Sequence, residues 1–192
     1  MQCLRLKLNK NVMKAFLFLA EGFEEIEAVS TMDVLRRGNI ELTTVSVTDN
    51  KLVMGAHQIS VEADQLFSET DFSEGQLLIL PGGMPGARHL NEHDELKHLL
   101  EQYAAEGKKI AAICAAPLVL GGLHLLQGKK ATVYPGYENT LQGATVVEEK
   151  VVKDGNIITG RGPAFVFDFA LAIVAELQGQ TKANEVAGGM LL

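Results

Sequence analysis

Between residues 14 and 177 the chain alternates short, almost wholly apolar runs with longer segments whose apolar residues recur every three or four positions. Runs without a polar face need cover on both sides, and the helical segments between them can supply it. The pattern therefore predicts an α/β fold with a doubly wound, mostly parallel sheet and helices on both faces. Strands are predicted at residues 14–20, 42–48, 77–80, 109–113, 131–133 and 157–159. Helices are predicted at residues 24–37, 92–105, 117–126 and 164–177, with Gly38, Gly107, Gly128 and Gly179 as C-terminal stops. Two segments break the alternation, residues 53–61 and 146–158. The second carries Asp154-Gly155 and reads as a β-hairpin, so both are expected to be small antiparallel additions.

No repeat, low-complexity tract or Pro/Ser-rich linker divides the chain, and 192 residues suit one domain. Residues 1–12 alternate loosely, with Leu4, Leu6 and Leu8 against Arg5 and Lys7, before Met13-Lys14 opens the first apolar run. They read either as an N-terminal extension upstream of a natural start at Met13 or as an extra edge strand. Residues 13–192 are then the domain proper.

Composition narrows the function classes. A net charge of -7, with no run of Lys or Arg, points away from nucleic acid. The longest apolar stretches, residues 15–20 and 165–177, fall short of the roughly 20 residues a membrane span needs, and the second is interrupted by Asp168 and Glu176. Two cysteines, Cys3 and Cys114, are too few for a disulfide framework and suit a reducing compartment; with no signal-peptide pattern, the expected location is cytoplasmic.

In an open parallel sheet, ligands bind beyond the carboxyl ends of the strands, and four such places carry chemistry. The run from Lys109 to Ile113 ends in Cys114-Ala115-Ala116-Pro117, a strand-to-helix elbow with proline at a first helical position. A helix N-terminus there would favour thiolate and lower the thiol pKa. The competing reading is a small buried hydrophobe. Leu80-Pro81-Gly82-Gly83 is a turn whose Gly83 amide, with that of Ala115, could hold an oxyanion; Gly82 would serve the same substrate site, or the turn is simply structural. In Glu24-Glu25-Ile26-Glu27, macrodipole stabilisation accounts for Glu24 and Glu25. Glu27 lies among Ile26, Ala28 and Val29, and is either a further surface acid or a desolvated carboxyl with a raised pKa near Cys114. Arg161-Gly162-Pro163 reads as a turn with a surface arginine, or one at a subunit interface. None of His57, His89, His93, His98 and His124 has zinc-ligand spacing, and His89 and His93 are expected on an exposed helix start.

With these residues assembled, the sequence resembles the ThiJ/PfpI superfamily, in the branch of the human parkinsonism-associated protein (DJ-one) and its bacterial relatives. The resemblance spans about residues 13–177. It rests on Gly22-x-Glu24-Glu25-x-Glu27, Asp33-Val34-x-Arg36-Arg37, Leu80-Pro81-Gly82-Gly83, Ala111-Ala112-Ile113-Cys114-Ala115-x-Pro117, Arg161-Gly162-Pro163 and the run from Phe169 to Val174, all in family order. It implies a flavodoxin-like fold, a homodimer, a reactive Cys114 that oxidises readily to the sulfinic acid, and a protonated glutamate at Glu27 paired with it. No cofactor or metal is implied.

The activity the resemblance implies is a cofactor-independent, Cys-dependent glyoxalase or deglycase acting on small reactive aldehydes or glycated groups. The alternative is a redox sensor or chaperone-like stress protein using the same cysteine. Two departures from the family pattern bear on this. Relatives that hydrolyse peptides or amides place His directly after the nucleophile, where this chain has Ala115. In the parkinsonism-associated branch a His often lies near the cysteine, where this chain has Tyr134. A phenol ordinarily titrates near pH 10 and is a poor neutral-pH base, so proton transfer would fall to Glu27 or water and turnover would be slow. A peptidase, an amidotransferase-like hydrolase or a thiazole-biosynthesis role is correspondingly disfavoured. Tyr134, Arg161 and Pro163 are expected to flank the site.

Overall fold

The computed structural model describes residues 13–192, so both readings of residues 1–12 lie outside the described residues. The chain runs through β1 (Lys14–Leu19), α1 (Glu25–Arg37), β2 (Glu41–Ser46) and a small antiparallel hairpin of β3 (Leu52–Met54) and β4 (Ser60–Glu62). Next come β5 (Gln65–Leu66), β6 (Leu77–Leu80), α2 (Gly86–Glu92), α3 (Asp94–Ala105), β7 (Lys109–Ile113) and α4 (Pro117–Gly122). The remainder holds β8 (Lys130–Ala131), β9 (Thr145–Val146), β10 (Val151–Asp154), β11 (Ile157–Gly160), α5 (Val166–Gln178) and α6 (Gln180–Gly189).

Seven strands form one sheet in the order β10-β11-β7-β6-β1-β2-β5, parallel throughout except for the antiparallel β10–β11 edge. The central strands are the uninterrupted apolar runs: Leu17, Phe18, Leu19, Leu77 to Leu80 and Ile110 to Ile113 are fully buried. Strands buried on both faces need no alternation, which is why these segments read as continuous hydrophobic stretches. Helices α1, α5 and α6 pack together as one layer, and α2, α3 and α4 as another. No helix among the described residues is long and apolar enough to cross a membrane.

Several boundaries depart from the sequence reading. The strand expected at 131–133 is only Lys130–Ala131, and it pairs with β9 in a separate two-stranded parallel sheet. The helix expected from residue 92 begins at Asp94, because His93 caps it: the ring Nδ1 accepts the Leu96 amide at 3.1 Å. His93 is thus a largely buried cap rather than an exposed residue, and its ring packs on Phe67. The helix expected at 117–126 stops at Gly122, and the glycine-rich turn after β6 runs into α2. At the end of α1 the left-handed residue is Asn39, with φ of 57°, and not Gly38. The hairpin near the C-terminus is present, but Asp154 pairs with Ile157, so Gly155-Asn156 makes its turn.

Strands β1, β6, β7 and β11 all point the same way, so the segments that follow them gather along one sheet edge. Those segments contain Glu21 to Glu24, Pro81 to Gly83, Cys114 to Ala116 and Arg161 to Pro163.

Candidate active site

Cys114 has left-handed backbone, with φ of 63°, a conformation that costs a non-glycine residue about 1–2 kcal/mol. The surrounding structure over-determines it. The Cys114 amide donates to Gly160 O at 2.9 Å, its carbonyl accepts from the Tyr134 amide at 2.9 Å, and the Ala116 amide turns back onto Ile113 O at 3.0 Å. The elbow ends at Pro117, the first residue of α4, whose missing N–H is no loss there. The sulfur-bearing residue is 9% exposed, neither sealed nor open.

Glu27 lies on the inner face of α1 and is fully buried. Its Oε2 accepts the Gly82 amide at 2.8 Å, while Oε1 has no partner. Gly82 also accepts the Glu24 amide at 2.9 Å through its carbonyl, so the first turn of α1 grips this glycine from both ends of its peptide. A Cβ on Gly82 would lie 2.6 Å from Cys114 Cβ and 2.7 Å from Glu27 Oε2. The missing side chain is therefore what allows the acid and the sulfur to meet. The amide and the carbonyl of Gly82 are thus both engaged by α1, the first by Glu27 and the second by Glu24.

Desolvation dominates the titration of Glu27 and lifts it from 4.5 to about 7, partly offset by the Gly82 amide and by the thiol. Burial, and then the adjoining Glu27 carboxylate, push the Cys114 thiol up as well, while the Gly83 and Ala115 amides bonded to the sulfur pull it down. The expected lowering of the thiol pKa by a helix N-terminus is thus not what the niche does. α4 is only six residues long, and burial beside an acid outweighs it. The two groups carry one negative charge between them comfortably and two with difficulty: protonating Glu27 removes the repulsion that opposes the thiolate.

The backbone amides of Gly83 and Ala115 both act on the sulfur. Tyr134 is 44% exposed and touches the elbow through its backbone. With Pro135, Arg161 and Pro163 it lines a groove of about 340 Å³ next to the elbow. Arg161 is engaged with the exposed Glu148 at 3.2 Å. His89 Nδ1 bonds the Glu21 carbonyl at 2.8 Å.

One contribution had no sequence signal. Glu25, expected to act only through the helix dipole, is buried against the β3–β4 hairpin: Oε1 accepts the His57 amide at 2.6 Å and Oε2 meets His57 Nδ1 at 2.8 Å. Glu24 Oε2 is 3.6 Å from the same nitrogen. One ring nitrogen thus faces both carboxylates, and the three side chains form an ion-pair cluster when the imidazole is protonated. Thirty-two positions separate Glu25 from His57, and no periodicity links them.

The fold and this niche define a parallel, flavodoxin-like α/β protein with a cysteine on a strand-to-helix elbow, faced by a buried carboxyl. The chain belongs to the DJ-1/PfpI family, which it matches over residues 13–176. Protein dj-1beta of Drosophila melanogaster is 37% identical over 180 residues, covering 93% of this chain and 96% of that protein. Its crystal structure superposes with a TM-score of 0.91 over 94% of this chain and 98% of that one. Protein DJ-1 homolog A of Arabidopsis thaliana is 41% identical over 177 residues, 91% of this chain but only 45% of that protein, so the chain spans less than half of this plant relative. A deglycase of Pyrococcus horikoshii is 32% identical over 158 residues, 81% of this chain and 93% of that protein.

Proposed function

We propose that the protein is a cofactor-independent glyoxalase or deglycase-like enzyme in which Cys114 is the nucleophile and Glu27 moves the proton. The observation that carries this reading is the pairing of a buried carboxyl lifted to about 7 with a cysteine held at a backbone elbow. An acid poised near neutrality exchanges protons efficiently in both directions. The Pyrococcus relative's name, deglycase, supports the same chemistry.

With methylglyoxal as substrate, the Cys114 thiolate adds to the aldehyde carbon, and the resulting alkoxide takes a proton to give a hemithioacetal. The Gly83 and Ala115 amides stabilise the oxyanion as it forms. Glu27, as carboxylate, removes the proton from that carbon and returns it to the neighbouring carbonyl carbon, while the hydroxyl proton passes from the first oxygen to the second through the enediol. The two carbons exchange oxidation level internally and a lactyl thioester results. Water cleaves the thioester, releasing lactate and the thiol, so no external oxidant or reductant is consumed. Replacing Cys114 by Ser removes the nucleophilic sulfur and is expected to abolish lactate formation. Activity like that of the wild type in that variant would dismiss the reading.

A second reading, a peroxide sensor, has one observation in its favour: where the related branch often carries a His near the cysteine this chain has Tyr134, which leaves proton transfer to Glu27 or water. A sulfinate on Cys114 would find the Gly83 and Ala115 amides and a protonated Glu27 already in place. Mass spectrometry showing two oxygens added at Cys114 under mild peroxide, together with negligible glyoxal turnover, selects it. We further propose a homodimer, in keeping with the exposed apolar residues Ile26 and Val29 on α1 and Met54 and Ile59 on the hairpin bound to it.

A further inference from the structure

The β3–β4 hairpin is tied to the start of α1 at several points. The Gly22 amide donates to Met54 O at 2.8 Å, the Ala56 amide to Phe23 O at 2.9 Å, and Phe23 bridges Gly55. At the centre is Glu25, whose Oε1 takes the amides of His57 and Ile59. Gly55 must be a glycine for this, since a Cβ there would stand 2.3 Å from Glu25 Oε1. On the hairpin's side all of these contacts are made by backbone. The His57 side chain has a different role: its ring, 68% exposed, lies against Glu25 Oε2 and near Glu24 Oε2 on the same helical turn that carries Glu27.

We infer that His57 is a positioning residue for the Cys114 niche, its imidazolium offsetting the Glu24 and Glu25 carboxylates and so setting the charge state of Glu27. This rests on the reading of Glu27 as the group that exchanges protons with Cys114 or its substrate. The charges that face one another are few. Glu27 meets the Cys114 thiol from the β7–α4 elbow, the Gly82 amide from the β6 turn, and the field of Glu24 from its own helix. His57 meets Glu24 and Glu25 from α1, and Glu21 approaches the hairpin through the Met54 amide. Glu24 raises Glu27, less than burial does, and the hydrogen bond to Glu25 with the charges of both carboxylates raises His57 above its ordinary value. Removing that cation leaves Glu24 uncompensated, and Glu27 then keeps its proton to higher pH.

The division of labour makes the inference separable from a structural role. Changing the His57 side chain leaves its backbone grip on Glu25 intact, whereas Gly55→Ala attacks the grip itself. The test is the pH dependence of Cys114 alkylation by iodoacetamide, which needs no assumption about substrate. In the wild type a step near pH 7 is expected from Glu27, and it should vanish in Glu27→Gln. His57→Gln should move the step upward by roughly 0.3 to 1 pH unit, and His57→Arg, which restores the charge, should bring it back. Glu24→Gln should move it downward. Raising ionic strength to about 1 M, where the screening length is near 3 Å, should collapse the difference between His57→Gln and the wild type. A step that is lost in Glu27→Gln yet unmoved in His57→Gln overturns the inference and leaves the reading of Glu27 standing. A step unchanged in Glu27→Gln overturns both.

Discussion

Replacing Glu27 by Gln should make the protein more stable at pH 8 relative to the wild type than it is at pH 4.5. The carboxyl titrates near 4.5 in the unfolded chain and near 7 in the folded one. Below pH 4.5 both states hold the proton and stability is independent of this group. Between the two values the unfolded state ionises while the folded state still binds the proton, so stability falls as pH rises. Above 7 both are ionised and the loss is complete. Two and a half pH units at ~1.4 kcal/mol each give a loss of about 3 kcal/mol. Gln keeps an amide oxygen for the Gly82 N–H and has no proton to lose, so it escapes this penalty. Denaturant unfolding of both proteins under reducing conditions at pH 4.5, 6 and 8 measures the difference directly. Its value should drift by about 3 kcal/mol in favour of Gln. A difference that stays constant across that range would refute the claim that burial holds the proton on Glu27.

Gly82→Ala should impair both folding and chemistry, because its Cβ has no space between Cys114 and Glu27. Overpacking of this kind costs about 1–3 kcal/mol, or roughly 3–10 °C in melting temperature for a chain this size, and a displacement near 1 Å can lower turnover by about 100-fold. Thermal melts and initial rates check the two parts, and an unperturbed Gly82→Ala protein would mean that the close approach is not needed. Sedimentation velocity should show a species of twice the chain mass that Ile26→Asp converts to single chains; a wild-type monomer at micromolar concentration would remove the dimer proposal.

The layered architecture could be read from the chain because it follows from a local rule. Strands covered on both sides leave continuous apolar runs such as Phe16 to Leu19 and Leu77 to Leu80, and parallel strands need a long crossover that is usually a helix. The elbow at Cys114 was legible for a similar reason: a buried run, a small-residue pair and a proline are neighbours in sequence. Element ends were less so. Capping of α3 by His93 depends on a ring nitrogen reaching a backbone amide, and the left-handed turn fell on Asn39 beside an available glycine.

By itself, then, the sequence determined a wound parallel sheet with Cys114 at a carboxyl-end elbow, since period, turn chemistry and burial are written in adjacent residues. Tertiary structure alone decided that Glu27 faces the sulfur and rests on Gly82, that the thiol is raised rather than lowered, and that His57 reaches Glu24 and Glu25. Titration depends on distance and desolvation, and both are set by residues dozens of positions apart in the chain.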